Sequence, residues 1–433
     1  MQRANTVEFT DFSSREQTHY FNYRIDGQTY TITLAHSKSS SLSPNAQQTI
    51  LFNLGMCYLL DLAELVVPDH IIINFTLNDT QQKFWQSFYQ EVAKEKMYLY
   101  QLDLALLAAD WKFQQNGKSF PLISLENQQH RALCLTGGKE SLTLLKLLKQ
   151  EKDLLLFFLN PEMNVHRQKV YTRFKDQFTT VKTISNRQEV FTLLKKKYET
   201  TLGSGVDMAH LIFNTMLLGC KYVMIGNEYS ANYPNLMYQG YMINHQYIKS
   251  IHFADKINHY LDECVTQDFN YYSPFFGLYE INIAKKLFVD EEFLEVWTSC
   301  NHTTAEVNFC SNCAKCAFTY LVSLVHTSEK FLSRYFSRDL LQDVELFKPL
   351  QDFTGEKPLD CVGEKIEVWT ALEILAQNSA FQNKPVIRYF TEKIRPFIAD
   401  DLAKFHQEVY AIQKVPTHLP LELTKIIEDN YQA

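Results

Sequence analysis

Between residues 132 and 226, short apolar runs alternate with longer amphipathic ones, and no other feature constrains the fold of this chain as tightly. Ala132–Leu135, Leu154–Leu159, Val181–Ile184 and Tyr222–Ile225 read as short buried strands. The stretch from Leu142 to Leu148, with its leucines at helical spacing, and those over about 163–178 and 206–220 read as the helices between them. Strands alternating with helices predict an α/β chain with a doubly wound parallel sheet. Ligands of such sheets sit at the carboxyl ends of the strands, and two glycine-bearing motifs fall there.

Glycine itself is scarce. The 433-residue chain has 13 glycines, where average usage would give roughly 30. Seven lie between Gly137 and Gly240, as expected where backbone needs positive φ or close approach to a ligand. Gly203 and Gly205 flank Ser204 ahead of the 206–220 helix and mark a candidate lid or substrate edge.

The length predicts two or three domains. Residues 20–35 alternate as a hairpin about Asp26-Gly27, Ser37–Ser43 reads as a loop before a helix, and 47–66 and 81–107 read as helical around a strand at Ile71–Phe75. We therefore expect an N-terminal α+β domain over 1–125, a catalytic domain over 126–330 and a helical, proline-punctuated region over 331–433 that carries no motif. A hydrophobic content of 46% and a charged content of 21% exclude disorder. The net charge of −7 argues against a nucleic-acid partner. Met1–Ser14 is polar, without the apolar core of a secretion signal, and no purely apolar run is longer than the six residues of Leu154–Leu159, too short to span a bilayer. The expectation is a cytoplasmic protein without a membrane partner; the oligomeric state is left open.

Three motifs carry chemistry. The first is Thr136-Gly137-Gly138-Lys139-Glu140-Ser141, between a strand and a helix. It lacks the spacing of the Walker loop and of the dinucleotide fingerprint. Two glycines opening a helix leave consecutive backbone N–H groups aimed at one spot, with the helix dipole behind them. Lys139 adds a full charge, and Thr136 and Ser141 add hydroxyl donors for a polyphosphate. The second motif is Gly226-Asn227-Glu228-Tyr229-Ser230-Ala231-Asn232. Glu228 is a candidate for Mg²⁺ or for a base, while Asn227, Ser230 and Asn232 suit a polar substrate. Downstream, Asn244-His245-Gln246-Tyr247-Ile248-Lys249-Ser250 places His245 and Lys249 on one face if it is helical, and Ser273 of Tyr272-Ser273-Pro274-Phe275 reads as a helix cap. The third is Cys300, Cys310, Cys313 and Cys316. A C-x2-C-x2-C hook with one distal cysteine suits a closed tetrahedral Zn²⁺ site, with an iron–sulfur cluster or free thiols as the other readings.

The glycine-lysine loop resembles that of the PP-loop ATP pyrophosphatase superfamily, whose fold is of the HUP-like type and which cleaves ATP to AMP and pyrophosphate. Thr136 stands where that superfamily usually has Ser, and Glu140 where it has Asp; Asn160 matches the position that holds the adenosine. The ordered set TGGKES, GNEYSAN, INHQYIKS, SPF and the cysteine cluster resembles the ATP-dependent UDP-N-acetyl-α-D-muramoyl-L-alanyl-L-glutamate epimerase (MurL) family. The resemblance implies ATP and Mg²⁺, a structural Zn²⁺, a UDP-muramoyl-dipeptide substrate and a role in peptidoglycan synthesis. It implies that Thr136, Gly137, Gly138, Lys139, Glu140, Ser141 and Asn160 bind ATP. Asn227, Ser230 and Asn232 would bind substrate, and Glu228, His245 and Lys249 would serve catalysis. The competing readings are an adenylating enzyme of the 7-cyano-7-deazaguanine synthase or tRNA-thiolation type, and a non-catalytic nucleotide sensor.

Overall fold

The computed structural model describes residues 1–125, 128, 130–201, 203, 205–304, 307–353, 356–415 and 419–431. Ser204 of the candidate lid, and Glu126 and Asn127 at the expected boundary, lie outside the described residues. The strands are β1 (Thr6–Arg15), β2 (Thr18–Ile25), β3 (Gln28–His36), β4 (His70–Ile73), β5 (Asp110–Phe113), β6 (His130–Cys134), β7 (Leu154–Phe158), β8 (Thr179–Ser185), β9 (Cys220–Met224), β10 (Leu236–Tyr238), β11 (Tyr241–Ile243) and β12 (Asn270–Tyr272). β10 and β11 form a separate hairpin; the rest make one sheet in the order β12-β9-β6-β7-β8-β3-β2-β1-β4-β5. Six neighbouring pairs in it are parallel and three, β1–β2, β2–β3 and β3–β8, are antiparallel. The α/β class expected from the sequence is therefore present, in a mixed rather than all-parallel sheet.

The β2–β3 hairpin turns at Asp26-Gly27, with Ile25 opposite Gln28 and Gly27 at φ +80°. The β3–β8 pairing, Leu34 opposite Ser185, carries the sheet from the N-terminal strands straight into the middle region.

The central strands are buried on both faces, and their alternation splits two cores. Ala132, Cys134, Leu155, Phe157 and Val223 pack into one core. Its first helices are α1 (Pro44–Val66) and α2 (Asp79–Leu99). Leu133, Leu135, Leu156, Phe158 and Met224 point the other way. That second core holds α3 (Lys139–Leu148) and α4 (Val165–Phe174). The first core then receives α5 (Arg187–Tyr198), α6 (Asp207–Leu217) and α7 (Ile251–Cys264). The second is completed by α8 (Glu280–Leu287), α9 (Ala314–Leu324) and the helical elements beyond residue 329. Residues from the first 125 thus cover one face of the central strands, and residues after 280 cover the other.

Helix α1 is the one helix among the described residues that is long and apolar enough to cross a membrane, and its whole apolar window is buried. Ser43 caps it, its Oγ accepting from the Ala46 N–H at 3.3 Å.

β7 and β8 lie on one side of β6, and β9 and β12 on the other. The chain reverses its direction of travel there, so the carboxyl ends of β6 and β9 flank a crevice of the kind that receives ligands.

Candidate active site

The loop from β6 to α3 makes one wall. Gly137 is left-handed at φ +85°, and its carbonyl accepts from the Thr298 N–H at 2.9 Å. Gly138 is the N-cap of α3 and supplies no side-chain cap, so the helix start is open to an anion. Lys139 opens the helix. Its buried ammonium pairs with Glu140 at 2.5 Å and with Glu280, the first residue of α8. The turn after β9 presses against this loop: a Cβ on Gly226 would lie 2.9 Å from Glu140 Cβ and 3.1 Å from its carbonyl carbon. Glycine at 226 is what lets Glu228 and Glu140 share a site.

The result is a cavity of about 500 Å³. Thr136, Gly138, Lys139 and Glu140 of the first motif line it, together with Glu228 of the second and both His245 and Lys249 of the 244–250 segment. The segment 244–250 is not an α-helix. A short 3-10 turn, Tyr247–Lys249, leads into α7, and Ser250 caps that helix. His245 and Lys249 nevertheless reach the same cavity, because the turn folds both inward.

Charge in this cavity is closely balanced. Burial depresses the Lys139 ammonium, but the Glu140 and Glu280 carboxylates outweigh it and hold it above the ordinary lysine value. Burial also opposes the charge on Lys249, which Cys361, Glu228 and Glu140 more than offset. Burial raises Glu140, yet Lys139 and Lys249 bring it below the usual carboxylate range. Glu280 goes the other way, because burial and the neighbouring Glu228 and Glu140 exceed the pull of Lys139. Burial and its carboxylate neighbours therefore favour the protonated form of Glu280. Glu228 Oε2 and Glu280 Oε1 are fully buried without a hydrogen-bond partner. Two such oxygens facing one polar cavity, beside Glu140, are of the donor type that hard divalent cations take.

Other expected site residues lie behind the wall. Asn227 gives its side-chain N–H to Tyr271 Oη, and its backbone is pinned on both sides by Ser273 Oγ, at 2.8 and 2.7 Å. Ser273, expected as a helix cap, thus holds the Glu228 turn in place. Asn232 accepts from the Ile251 N–H at 2.7 Å and donates to the Tyr229 carbonyl, and Ser230 is fully buried. None of the three lines the cavity: the Asn227 and Asn232 amides are spent within or beneath the turn, and Ser230 Oγ is buried there without a hydrogen-bond partner. Asn160, at φ +45°, donates to the Ser185 carbonyl at 3.0 Å and ties the end of β7 to β8, away from the cavity. Ser141 Oγ turns back to the Gly138 carbonyl at 3.1 Å.

Three cavity-related residues were not apparent from sequence. Glu280 is an acidic residue in the first turn of the helix after Ser273-Pro274-Phe275, a position that reads as ordinary dipole compensation. Glu95 of α2 accepts from His245 Nδ1 at 2.9 Å. Cys361, from the C-terminal region, lines the cavity beside His245 and Lys249. Burial would raise its thiol, but Lys249 and a hydrogen bond with His245 bring it down to about 6. Burial would lower His245, but Cys361 and Glu95 push it up to about 10.

The sulfurs of Cys300, Cys310, Cys313 and Cys316 lie within 4.8 Å of one another. Cys310 and Cys316 Sγ are 3.7 Å apart, against about 3.8 Å for thiolates held tetrahedrally at ~2.3 Å from zinc. Backbone N–H groups of His302 and Cys310 donate to Cys300 Sγ at 3.3 and 3.4 Å, and that of Cys316 to Cys313 Sγ at 3.4 Å. Such donors favour thiolate. The cluster backs directly onto the glycine loop: Ser299 Oγ accepts from the Lys139 N–H at 3.4 Å, and Cys300 lines the cavity.

Fold and site together define an α/β protein with a charged cavity at the carboxyl ends of parallel strands. A family model of the MurL N-terminal domain matches residues 1–274, and one of the MurL C-terminal domain matches residues 296–404. The chain belongs to the MurL family. A Salinispora tropica protein named UDP-N-acetyl-alpha-D-muramoyl-L-alanyl-L-glutamate epimerase is 26% identical over 287 residues, 63% of this chain and 61% of the relative. Proteins of the same name from Micromonospora sp. and Xanthomonas oryzae pv. oryzae are 31% and 29% identical over 202 residues, 45% of this chain and 44% and 45% of those relatives. The chain thus spans about half to three-fifths of the length of the curated relatives it matches. No solved structure matches it.

Proposed function

We propose that this protein is an ATP-dependent epimerase of PP-loop type that converts the terminal L-Glu of UDP-N-acetylmuramoyl-L-Ala-L-Glu to D-Glu, in peptidoglycan synthesis. The relatives' names suggest the substrate. The observation that carries the reading is the convergence of Thr136, Gly138, Lys139, Glu140, Glu228, His245 and Lys249 on one cavity.

A carboxylate α-proton is too weakly acidic for removal, because the resulting enolate carries two negative charges. Joining the carboxylate to AMP removes that burden. In this reading the α3 N-terminus and Lys139 bind the phosphates and stabilise the charge that develops as pyrophosphate leaves. Glu228 and Glu280, with Glu140, would hold Mg²⁺, which when bound supplies positive charge to the phosphate oxygens. His245 and Lys249 stand as proton carriers for the two faces of the α-carbon. Hydrolysis of the acyl-adenylate then releases AMP.

The deciding experiment incubates the protein with Mg-ATP and UDP-muramoyl-L-Ala-L-Glu in deuterated water. The expected result is substrate-dependent AMP and pyrophosphate, D-Glu, and deuterium at the glutamate α-carbon. AMP without α-deuterium would point to an adenylating enzyme of the thiolation type. No AMP and unlabelled L-Glu would remove the enzyme reading.

The cysteine cluster is proposed as a structural zinc site that braces the wall carrying Ser299. Chelation should release about one zinc per chain and lower the thermal midpoint by several degrees, since a ligand at 100-fold its dissociation constant stabilises by about 2.7 kcal/mol. A chain purified without metal, and equally stable with and without chelator, would refute it.

A further inference from the structure

Five of the nine cysteines stand outside the cluster, and four of those, Cys57, Cys134, Cys220 and Cys264, are buried. Cys361 is the exception: it is part-exposed and forms part of the cavity wall. It is also held there by a dedicated set of contacts. Asn235, buried ahead of β10, accepts the His245 N–H on its side-chain oxygen at 2.8 Å. Its side-chain nitrogen donates to the Pro358 carbonyl at 2.6 Å, and its own carbonyl accepts the Lys357 N–H at 3.2 Å. One asparagine therefore clamps the His245 backbone to the segment leading into Cys361. Gln246 Nε2 donates to the Val362 carbonyl at 3.4 Å, and Asp360 Oδ1 accepts from both the Cys361 N–H and Asn301 Nδ2, at 2.8 and 3.3 Å. The segment is fixed from three directions, and the thiol side chain faces His245, which Glu95 holds from its far side. The same cavity contains the unpartnered, buried oxygens of Glu228 and Glu280, which mark it as a ligand site independently of the cysteine.

We propose that Cys361 is a catalytic residue of the epimerisation, its sulfur taking the α-proton of the activated glutamate, with His245 and Glu95 as the positioning pair behind it. The proposal rests on the function proposed above and reassigns one step in it. The Cα–H bond breaks, an S–H bond forms, and the electron pair of the former bond moves onto the acyl oxygen as an enolate. A proton from the opposite face, given above to Lys249, makes the new Cα–H bond. Passage of the thiol proton back to the Lys249 amine, through water in the cavity, restores both groups, so no proton is consumed. A sulfur suits the step because a thiolate is a soft, weakly hydrated base that loses little solvation on meeting a C–H bond.

The test uses the full chain with Cys361→Ala and Cys361→Ser. Both should still release pyrophosphate in the presence of ATP and the muramoyl dipeptide. Both should lose α-deuterium incorporation and D-Glu formation by at least about a hundredfold, the usual scale of a positioned acid or base. Epimerisation by either variant within about threefold of the wild type would overturn the proposal; the serine variant is informative because it keeps the shape and loses only the base. A second readout does not depend on turnover: iodoacetamide should label Cys361 faster than any other cysteine, and His245→Asn should slow that labelling about tenfold or more. Labelling indifferent to His245 would also overturn it. If the wild-type chain releases no pyrophosphate, or releases it without any α-deuterium, the epimerase reading itself fails and takes this step with it. Loss confined to the Cys361 variants supports the step.

Discussion

Lys139→Met is expected to reduce substrate-dependent pyrophosphate release by about a hundred- to a thousandfold, the scale seen when a preorganised donor at a developing anion is removed. The ammonium is fully enclosed, at 2% exposure, so neither water nor another lysine can stand in for it. Lys249, another cation of the cavity, lies 3.8 Å from Glu228. The substitution also strands Glu280 and Glu140, and breaking a buried pair in this way costs about 3–5 kcal/mol. The double variant Lys139→Met with Glu280→Gln removes that complication, since a neutral amide needs no counter-charge, and Glu280→Gln alone is its reference because Glu280 is also placed among the Mg²⁺ ligands. Pyrophosphate release from a folded double variant, followed in parallel with thermal unfolding, separates catalysis from stability. Release within about tenfold of the wild type would rule out Lys139 as a phosphate ligand.

Gly137→Ala should be the most damaging single methyl group in the loop. At φ +85° an alanine pays about 1–2 kcal/mol for the left-handed conformation. Its Cβ would also lie 2.7 Å from Val170 Cγ2 and 3.0 Å from the Val296 carbonyl oxygen, adding an overpacking cost of about 1–3 kcal/mol. The sum is about 2–5 kcal/mol, read as a shift in the urea midpoint at unchanged slope. The neighbouring Gly138 makes the control. It has φ −71°, and the nearest atom to its Cβ is Glu140 Oε2 at 3.3 Å, the far end of a flexible side chain. Gly138→Ala should therefore cost less than about 1 kcal/mol. Equal stabilities for the two variants would mean that the loop does not hold this conformation.

Much of the site's scaffold could be read along the chain. The β6 and β9 strands, the glycine loop between β6 and α3, the Gly226 turn and the cysteine hook are each specified within about ten residues, where periodicity and turn chemistry act directly. Thr136, Lys139, Glu140, Glu228, His245 and Lys249 were all legible for that reason, and all line one cavity. His245 and Lys249 were grouped on the assumption of a helix; a 3-10 turn brings them together instead.

The remaining assignments depended on partners far away in sequence. Asn227 and Asn232 have the chemistry of substrate ligands, but Tyr271, Ser273 and Ile251 claim their polar atoms. Glu280 and Cys361 carry no local motif; they matter because α8 and the 357–362 segment are folded back onto a loop more than a hundred residues earlier. The same holds for the sheet. The continuous apolar runs of the central strands showed that both of their faces are buried, but not that β3 joins β8, nor that N-terminal and C-terminal helices take opposite faces. Local pattern reports what a segment must bury, because side-chain direction repeats every two or 3.6 residues. Which distant segment does the burying, and which polar atoms remain for a ligand, is set by long-range packing that no window of sequence contains.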